Sequence, residues 1–180
     1  MAQFYDELNP TLREFIARQH LFFTATTPTD GRINLSPKGM NTFRVIDDLT
    51  VAYLDLTGSG NETAAHLKDD GRMTIMFCAL EGKPLVLRLY GRGEVMPISS
   101  EAGQKLHTHF SSIAGERQII VLHIESVQTA CGYAIPVYEF VGERDTLLKW
   151  AQHTGSDGLE EYRRAANQQS IDGRPTGFSE

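Results

Sequence analysis

The sequence predicts a mostly β protein, built as an antiparallel barrel with a few covering helices. About six stretches are rich in β-branched and aromatic residues, and several alternate between apolar and polar positions. Short turn-forming segments, such as PTDG at 28–31, separate some of these stretches as they do in hairpins. Only the segment 57–71 is long enough for a helical crossover between parallel strands. Most neighbouring strands are therefore expected to pair antiparallel.

The first half of the chain predicts two helices and three strands. A helix is expected from about Asp6 to Gln19, where apolar residues recur at helical spacing and Pro10 lies in an early turn. A second helix is expected from Glu62 to about Lys68, before the turn signal DDG. The strands are LFFTATT at 21–27, RINLSPKG at 32–39 and LTVAYLDL at 49–56, the first two forming a hairpin.

The second half adds three strands and a helical C-terminal part. The strands are RMTIMFCAL at 72–80, PLVLRLYGRGEV at 84–95 and ERQIIVLHIESVQT at 116–129. A helix at 99–110 is expected to be capped by Ser99 or Ser100. From about residue 144, two helices are expected on either side of Gly155, followed by a turn-rich, extended tail at 171–180. We expect one domain over residues 1–180, with a helical extension at about 144–180.

Composition narrows the possible functions. A chain of 180 residues can bury one sizeable core. The formal net charge of -6 argues against a basic nucleic-acid-binding face and against a polybasic membrane anchor. The N-terminus shows no targeting pattern, and no run approaches the roughly 20 apolar residues of a membrane-spanning helix. The two cysteines lie far apart, so we expect a reduced, cytoplasmic protein.

Three polar residues share one face of the strand RINLSPKG. Alternation places Asn34, Ser36 and Lys38 together, opposite Ile33 and Leu35. This face can hold a polar ligand, or it can be the solvent-facing side of an edge strand. The strand pattern alone leaves both interpretations open.

The strand PLVLRLYGRGEV carries a second polar face. Arg88, Tyr90 and Arg92 lie together on it, and two arginines with a tyrosine suit an anionic ligand. A surface pair between Arg92 and Glu94 is the alternative. Gly91 indicates a bend or a close approach of the backbone.

The segment LTGSGNETAAH at 56–66 joins a strand to a helix through a glycine turn. A helix N-terminus presents free backbone N–H groups and a positive dipole end, which suit a phosphate. Ser59, Asn61 and Thr63 add short polar side chains. The segment matches neither the Walker loop nor the G-x-G-x-x-G fingerprint, so a simply capped helix is the alternative.

We find no obvious pair of nucleophile and base. The six histidines are isolated or diverge, and no cluster has metal-ligand spacing. A phosphate site without a catalytic dyad is typical of proteins that leave the chemistry to a cofactor.

Together, FFTATTPTDGRINLSPKG, LTVAYLDLTGSGNETAAHLKDDGRMTIMFCA and LRLYGRGEV resemble the pyridoxamine 5'-phosphate oxidase-like, FMN-binding split-barrel superfamily over residues 10–130. The C-terminal part is similar to a subgroup other than the vitamin-processing oxidases. The resemblance implies a six-stranded antiparallel split barrel that forms a homodimer, with two FMN molecules at the interface. No nucleic acid or membrane partner is expected.

The resemblance also implies roles for individual residues. Lys38 matches the phosphate-binding lysine, whereas Asn61, Glu62 and Thr63 replace a Ser-Arg-Lys clamp, so two cations are lost. Trp150 and Tyr133 are expected to stack on the flavin ring or to shield it, and a position in the core is the alternative for Trp150. The residues expected to contact FMN are Asn34, Ser36 and Arg88 at the phosphate, ribityl chain or ring edge, Asp55 and Thr57 beside the ring, and Lys38, Ser59, Asn61 and Thr63 at the phosphate.

These implications lead to an FMN-dependent oxidoreductase that acts on an unknown small molecule, with a nicotinamide dinucleotide as a transient electron donor. One alternative is a flavin-binding or sensing module without turnover. Another is a relative that binds a deazaflavin or haem on the same barrel. No counterpart of the oxidases' C-terminal substrate-binding arginine and histidine is found, which argues against oxidation of pyridoxine phosphate.

Overall fold

A central antiparallel β-sheet organises the protein, of which a computed structural model describes residues 2–178. Within these residues the sheet has eight strands in the order β3-β2-β6-β7-β8-β5-β4, with β1 beside β8. The strands are β1 Gln3–Tyr5, β2 Phe22–Thr26, β3 Asn34–Lys38, β4 Phe43–Val45, β5 Thr50–Leu56, β6 Arg72–Cys78, β7 Val86–Met96 and β8 Glu116–Ala130. Every pairing between them is antiparallel, so the predicted fold class is confirmed.

Two short strands were not among the six predicted. β1 and β4 have three residues each, which is too short to show the alternation that identifies a strand in sequence. β1 extends the edge of β8 beyond β5, and β4 pairs with β5. Both are therefore defined by their tertiary partners.

Four helices cover the sheet in the part of the chain that the structure describes: α1 Pro10–Ala17, α2 Glu62–Asp69, α3 Glu101–His107 and α4 Thr146–Ala166. α1 is shorter than predicted, because the side chain of Asn9 caps it by accepting from Leu12 N at 3.0 Å and Pro10 is its first residue. The predicted cap of α3 is confirmed, since Ser100 Oγ accepts from Gly103 N at 3.0 Å.

The predicted break at Gly155 is also confirmed. Gly155 has φ 70° and ψ 173°, so α4 consists of two helical parts that meet at this residue. After α4, the chain turns at 170–173 and Gln169 pairs with Pro175. Residues 179 and 180 of the predicted tail lie outside the described residues.

The two faces of the sheet pack against different helices. Val51 and Tyr53 of β5 point into the main core, which also receives Phe15 of α1 and Leu67 of α2. The alternate residues of β5 join a smaller cluster with Phe110, beside α3. The face that packs on α1 and α2 is called the inner face below.

A bulge bends the long strand β7. The pairing of β7 with β8 shifts between Tyr90 and Gly91. A Cβ atom on Gly91 would lie 1.9 Å from His123 O, so only glycine fits this close approach.

No helix within residues 2–178 combines the length and the apolar character needed to cross a membrane.

Candidate functional site

The polar side of β3 lies on the inner face of the sheet. Asn34, Ser36 and Lys38 are partly buried, whereas Leu35 on the opposite side is 64% exposed. Ser36 pairs with Thr24 of β2, which is fully buried. The strand therefore turns its polar residues inward, and the interpretation as a solvent-facing polar edge is wrong.

The N-terminus of α2 lies against these residues. Asn34 Nδ2 donates to Thr63 Oγ1 at 3.2 Å and so joins β3 to the first turn of α2. Ser36 Oγ donates to Asn34 Oδ1 at 3.0 Å. The polar face of β3 and the start of α2 thus form one continuous group.

Asn61 precedes α2 but does not cap it with its side chain. Asn61 Oδ1 accepts from Gln118 Nε2 at 2.8 Å, and Asn61 Nδ2 has no partner within the described part of the chain although the residue is only 2% exposed. Among the same residues, no hydrogen bond uses the backbone N–H groups of Glu62, Thr63 and Ala64. The helix start therefore has several buried donors without hydrogen bonds among these residues.

A buried carboxylate lies between two cations beside this group. Asp55 accepts from Lys38 Nζ at 2.9 Å, from Arg117 Nη2 at 2.6 Å and from Gln118 Nε2 at 2.9 Å. Burial opposes ionisation of Asp55, but the charges of Lys38 and Arg117 outweigh it and lower its pKa to about 2. Burial likewise opposes the charged form of Lys38, but Asp55 outweighs it and raises the pKa of Lys38. At neutral pH the three groups carry a net charge of +1.

Thr24 Oγ1 and Tyr53 OH also lie on the inner face. Neither atom has a hydrogen-bond partner at a normal distance and angle within residues 2–178, and both residues are fully buried. Burial raises the pKa of Tyr53 to about 12, so its hydroxyl stays protonated and able to donate. Lys38 Nζ lies 5.5 Å from the centre of the Tyr53 ring.

Six of the nine residues expected to contact FMN are brought together here: Asn34, Ser36, Lys38, Asp55, Asn61 and Thr63. Asp55 is 2% exposed and engaged by three side chains, so it holds the cations in place and does not border an open space. Its expected contact with a flavin ring is not supported by this geometry.

Thr57 and Ser59 are placed apart from the group. Thr57 is fully buried under α4, where it donates to Gly115 O at 2.8 Å and accepts from Arg163 Nε at 2.8 Å. Ser59 is exposed at the tip of the turn. The Thr57 hydroxyl is therefore engaged by these partners and does not join the polar group around Lys38.

Arg88 lies on the other face of the sheet. Residues paired across strands share a face, and Arg88 pairs with Met76, Met76 with Phe23, and Phe23 with Pro37. Lys38 is one residue further along β3 and therefore points to the opposite side. Within one chain, Arg88 therefore does not join the group of polar residues around Lys38.

Several residues of this polar group were not predicted from the sequence. Arg117 and Gln118 precede the apolar run of β8, and a polar pair at the start of a buried strand is a weak signal for such a role. Arg117 Nη1 also donates to Asn167 Oδ1 at 2.6 Å and to Gly60 O at 3.1 Å. Asn167 Nδ2 donates to Gly58 O at 3.1 Å. The end of α4 thereby fixes the glycine turn.

A groove of about 1270 Å³ is lined by Gly39 and Met40, which follow Lys38 in the chain, and by Trp150. Lys38 itself is not among its lining residues. Tyr133 is 81% exposed and is not among its lining residues. Most of the remaining lining comes from the end of α1, the connection between β6 and β7, and the segment 138–147.

The residues present fit the phosphate of a mononucleotide. Lys38 supplies a cation, the start of α2 supplies backbone donors, and Asn61 Nδ2 is a buried donor without a partner in the described part of the chain. A dianion is the ligand that this combination of donors favours, since unpaired buried donors are costly.

Comparisons with known proteins agree with this architecture. The sequence profile of the family described as Pyridoxamine 5'-phosphate oxidase matches residues 8–131. The pyridoxamine 5'-phosphate oxidase family protein ustO of Aspergillus flavus is 37% identical over 193 aligned positions, which cover 97% of this chain and 78% of that protein.

Two solved structures share the fold. HupZ of Group A Streptococcus is 24% identical, with a TM-score of 0.53, and the match covers 67% of this chain and 91% of HupZ. An FMN-binding protein of Syntrophomonas wolfei is 16% identical, with a TM-score of 0.50, and the match covers 66% of this chain and 82% of that protein.

Proposed function

Since the chain belongs to the pyridoxamine 5'-phosphate oxidase family, we propose that it binds FMN and acts as an oxidoreductase on a small molecule. The observation that carries this proposal is the hydrogen-bonded series from Lys38 through Asp55 and Gln118 to Asn61, whose Nδ2 has no partner within residues 2–178. A solved structure of the same fold is described as an FMN-binding protein, which supports the choice of cofactor.

In this proposal, the phosphate is held by Lys38, Asn61 Nδ2 and the first N–H groups of α2, and Ser36 supports the site by donating to Asn34. Lys38 has three donors and gives one to Asp55, so two remain for phosphate oxygens. Thr63 holds Asn34, and Gln118 holds Asn61, so both amides are oriented before a ligand arrives.

When bound, FMN supplies hydride and electron transfer. The groove beyond Lys38 is the space available to the flavin ring and a substrate, and its mainly apolar walls exclude water from them. Trp150 borders this space and is suited to cover a flat ring. A nicotinamide dinucleotide would donate electrons at the open side of the groove.

We propose in addition that the protein is a homodimer. Large apolar side chains are exposed on the outward side of β3 and in the segment after β8, and burial between two copies would remove them from water. They are Ile33, Leu35, Tyr133, Val137, Tyr138 and Val141. Light scattering after size exclusion tests this proposal, and a monomeric mass at micromolar concentration would contradict it.

The absorption spectrum of the purified protein tests cofactor binding. We expect a flavin spectrum and release of FMN on denaturation, or uptake of added FMN by the colourless protein. A protein that neither carries nor takes up FMN would contradict the proposal. Consumption of NADH or NADPH with candidate acceptors then distinguishes an oxidoreductase from a protein that binds flavin without turnover.

A further inference from the structure

Glu62 places a negative charge in the first turn of α2, beside the donors assigned to the phosphate. A carboxylate at this position interacts favourably with the positive end of the helix and with its free N–H groups. It is therefore a potential internal competitor of any anionic ligand. What the Glu62 side chain contacts decides whether it competes.

The carboxylate of Glu62 is directed to the C-terminal tail. Both of its oxygens accept from Ile171 N, at 3.0 and 3.1 Å. Glu62 Oε2 also lies 4.0 Å from Nε2 of the buried His66, one turn further along α2. The carboxylate also lies near Gly60, just before the helix, since a Cβ atom on Gly60 would be 3.5 Å from Glu62 Oε1. Within residues 2–178 it accepts from Ile171 N and from no backbone N–H group of α2.

The segment that carries Ile171 is fixed at several points. Asp172 forms an ion pair with Arg32 and accepts from Arg32 N at 2.8 Å. Arg174 Nη1 donates to Asp69 Oδ1 at 2.6 Å. Thr176 Oγ1 donates to Asn167 O at 2.7 Å. The N–H group of Ile171 is therefore held in place by contacts that do not involve Glu62.

We propose that the C-terminal tail is a positioning element for the anion site: the Ile171 N–H group engages the Glu62 carboxylate and so keeps it from hydrogen-bonding to the free N–H groups of α2. This inference rests on the proposed function, because it concerns binding of the FMN phosphate at that helix end. It explains how the site tolerates an acid where the family's clamp has a cation.

The effect of Glu62 on FMN binding then depends on the tail. With Ile171 N–H present, the carboxylate is occupied and the charge at residue 62 has little influence on FMN. Without this donor, the carboxylate is free to turn to the α2 N–H groups and weaken phosphate binding.

Four full-length proteins test the inference through the dissociation constants of FMN and riboflavin, measured by fluorescence titration. Ile171→Pro removes the N–H group of an exposed residue, and Ile171→Ala keeps it as the matched control. We expect Ile171→Pro to weaken FMN binding by about 3- to 10-fold, with riboflavin unchanged because it has no phosphate. Glu62→Gln combined with Ile171→Pro should restore wild-type affinity, and Ile171→Ala should not alter it.

Two outcomes would overturn the inference. One is that Ile171→Pro weakens FMN binding to the same extent whether or not Glu62→Gln is also present. This result would show that the tail has a general structural effect. The other is unchanged FMN affinity in folded Ile171→Pro. If that variant does not fold, the double variant Asp172→Ala/Arg174→Ala is used to loosen the tail instead. Adding Glu62→Gln to it must then restore FMN affinity. A wild-type protein that binds no FMN would contradict the proposed function itself, which separates the two failures.

Discussion

Lys38 Nζ and Asp55 Oδ1 lie 2.9 Å apart on the inner face of the sheet, in a cluster that Arg117 completes from the next strand. The contact fixes a long, flexible side chain before any ligand binds, which reduces the entropy lost on binding. Because Arg117 compensates the charge of Asp55, Lys38 keeps its own charge available to an anion.

Replacing Lys38 by Ala should weaken FMN binding by about 1.5–3 kcal/mol, the contribution of a charge-assisted hydrogen bond. Fluorescence titration measures this loss. Arg88→Ala is the matched control, since Arg88 points to the opposite face of the sheet, and its affinity for FMN should stay close to wild type. Equal losses of FMN affinity in both variants would contradict a phosphate site that contains Lys38 but not Arg88. They would support the expectation from sequence that both residues contact FMN.

Replacing Arg117 by Met should lower the free energy of unfolding by about 3–5 kcal/mol, because it removes one partner from a buried ion pair. Urea denaturation measures the change. Arg92→Met is a suitable control, since the Arg92 side chain is 57% exposed and its ion pair with Glu125 spans 3.8 Å. A loss below about 1 kcal/mol for Arg117→Met, similar to that of an exposed pair, would argue against the buried network.

The stability of the wild type should depend on Asp55 at low pH. The pKa of Asp55 is lowered from 3.8 to about 2 in the folded chain, so its stabilising contribution is present above pH 4 and is lost as the pH falls from about 4 to 2. Over this interval the wild type should lose about 2 kcal/mol more than Asp55→Asn. Urea denaturation at several pH values tests this, and parallel pH profiles would contradict it.

Replacing Gly91 by Ala should lower the melting temperature by several degrees, since the new Cβ would lie 1.9 Å from His123 O and force the bulge apart. Gly58→Ala is the control for stability, because within residues 2–178 no heavy atom beyond its own chain neighbours lies within 4 Å of a Cβ at residue 58. Calorimetry of both variants gives the comparison, and equal melting temperatures would show that the bulge adjusts without cost.

Local sequence pattern was sufficient for most of the fold. Alternation identified the longer strands, and the glycine between the two parts of α4 was identified by its usual role at helix ends. β1 and β4 could not be predicted, because three residues carry no period and their strand conformation depends on pairing with β8 and β5.

The candidate site was predictable only in part. The alternation of β3 and the helix start at Asn61 are local features, and their meeting was expected from the family resemblance. The position of Arg88 depends on the register of three strand pairs, which the sequence does not specify. Arg117 and Asn167 lie 50 residues apart, and their contact follows from how α4 docks.

The ratio of the riboflavin and FMN dissociation constants of the wild type, measured by fluorescence titration at low salt, tests the central claim most directly. The two ligands differ in the phosphate alone. A site formed by Lys38 and the start of α2 predicts that FMN binds at least about 10-fold more tightly than riboflavin, and that Lys38→Ala removes most of this preference. Equal affinities for the two ligands in the wild type would contradict the claim that this group of residues binds the phosphate.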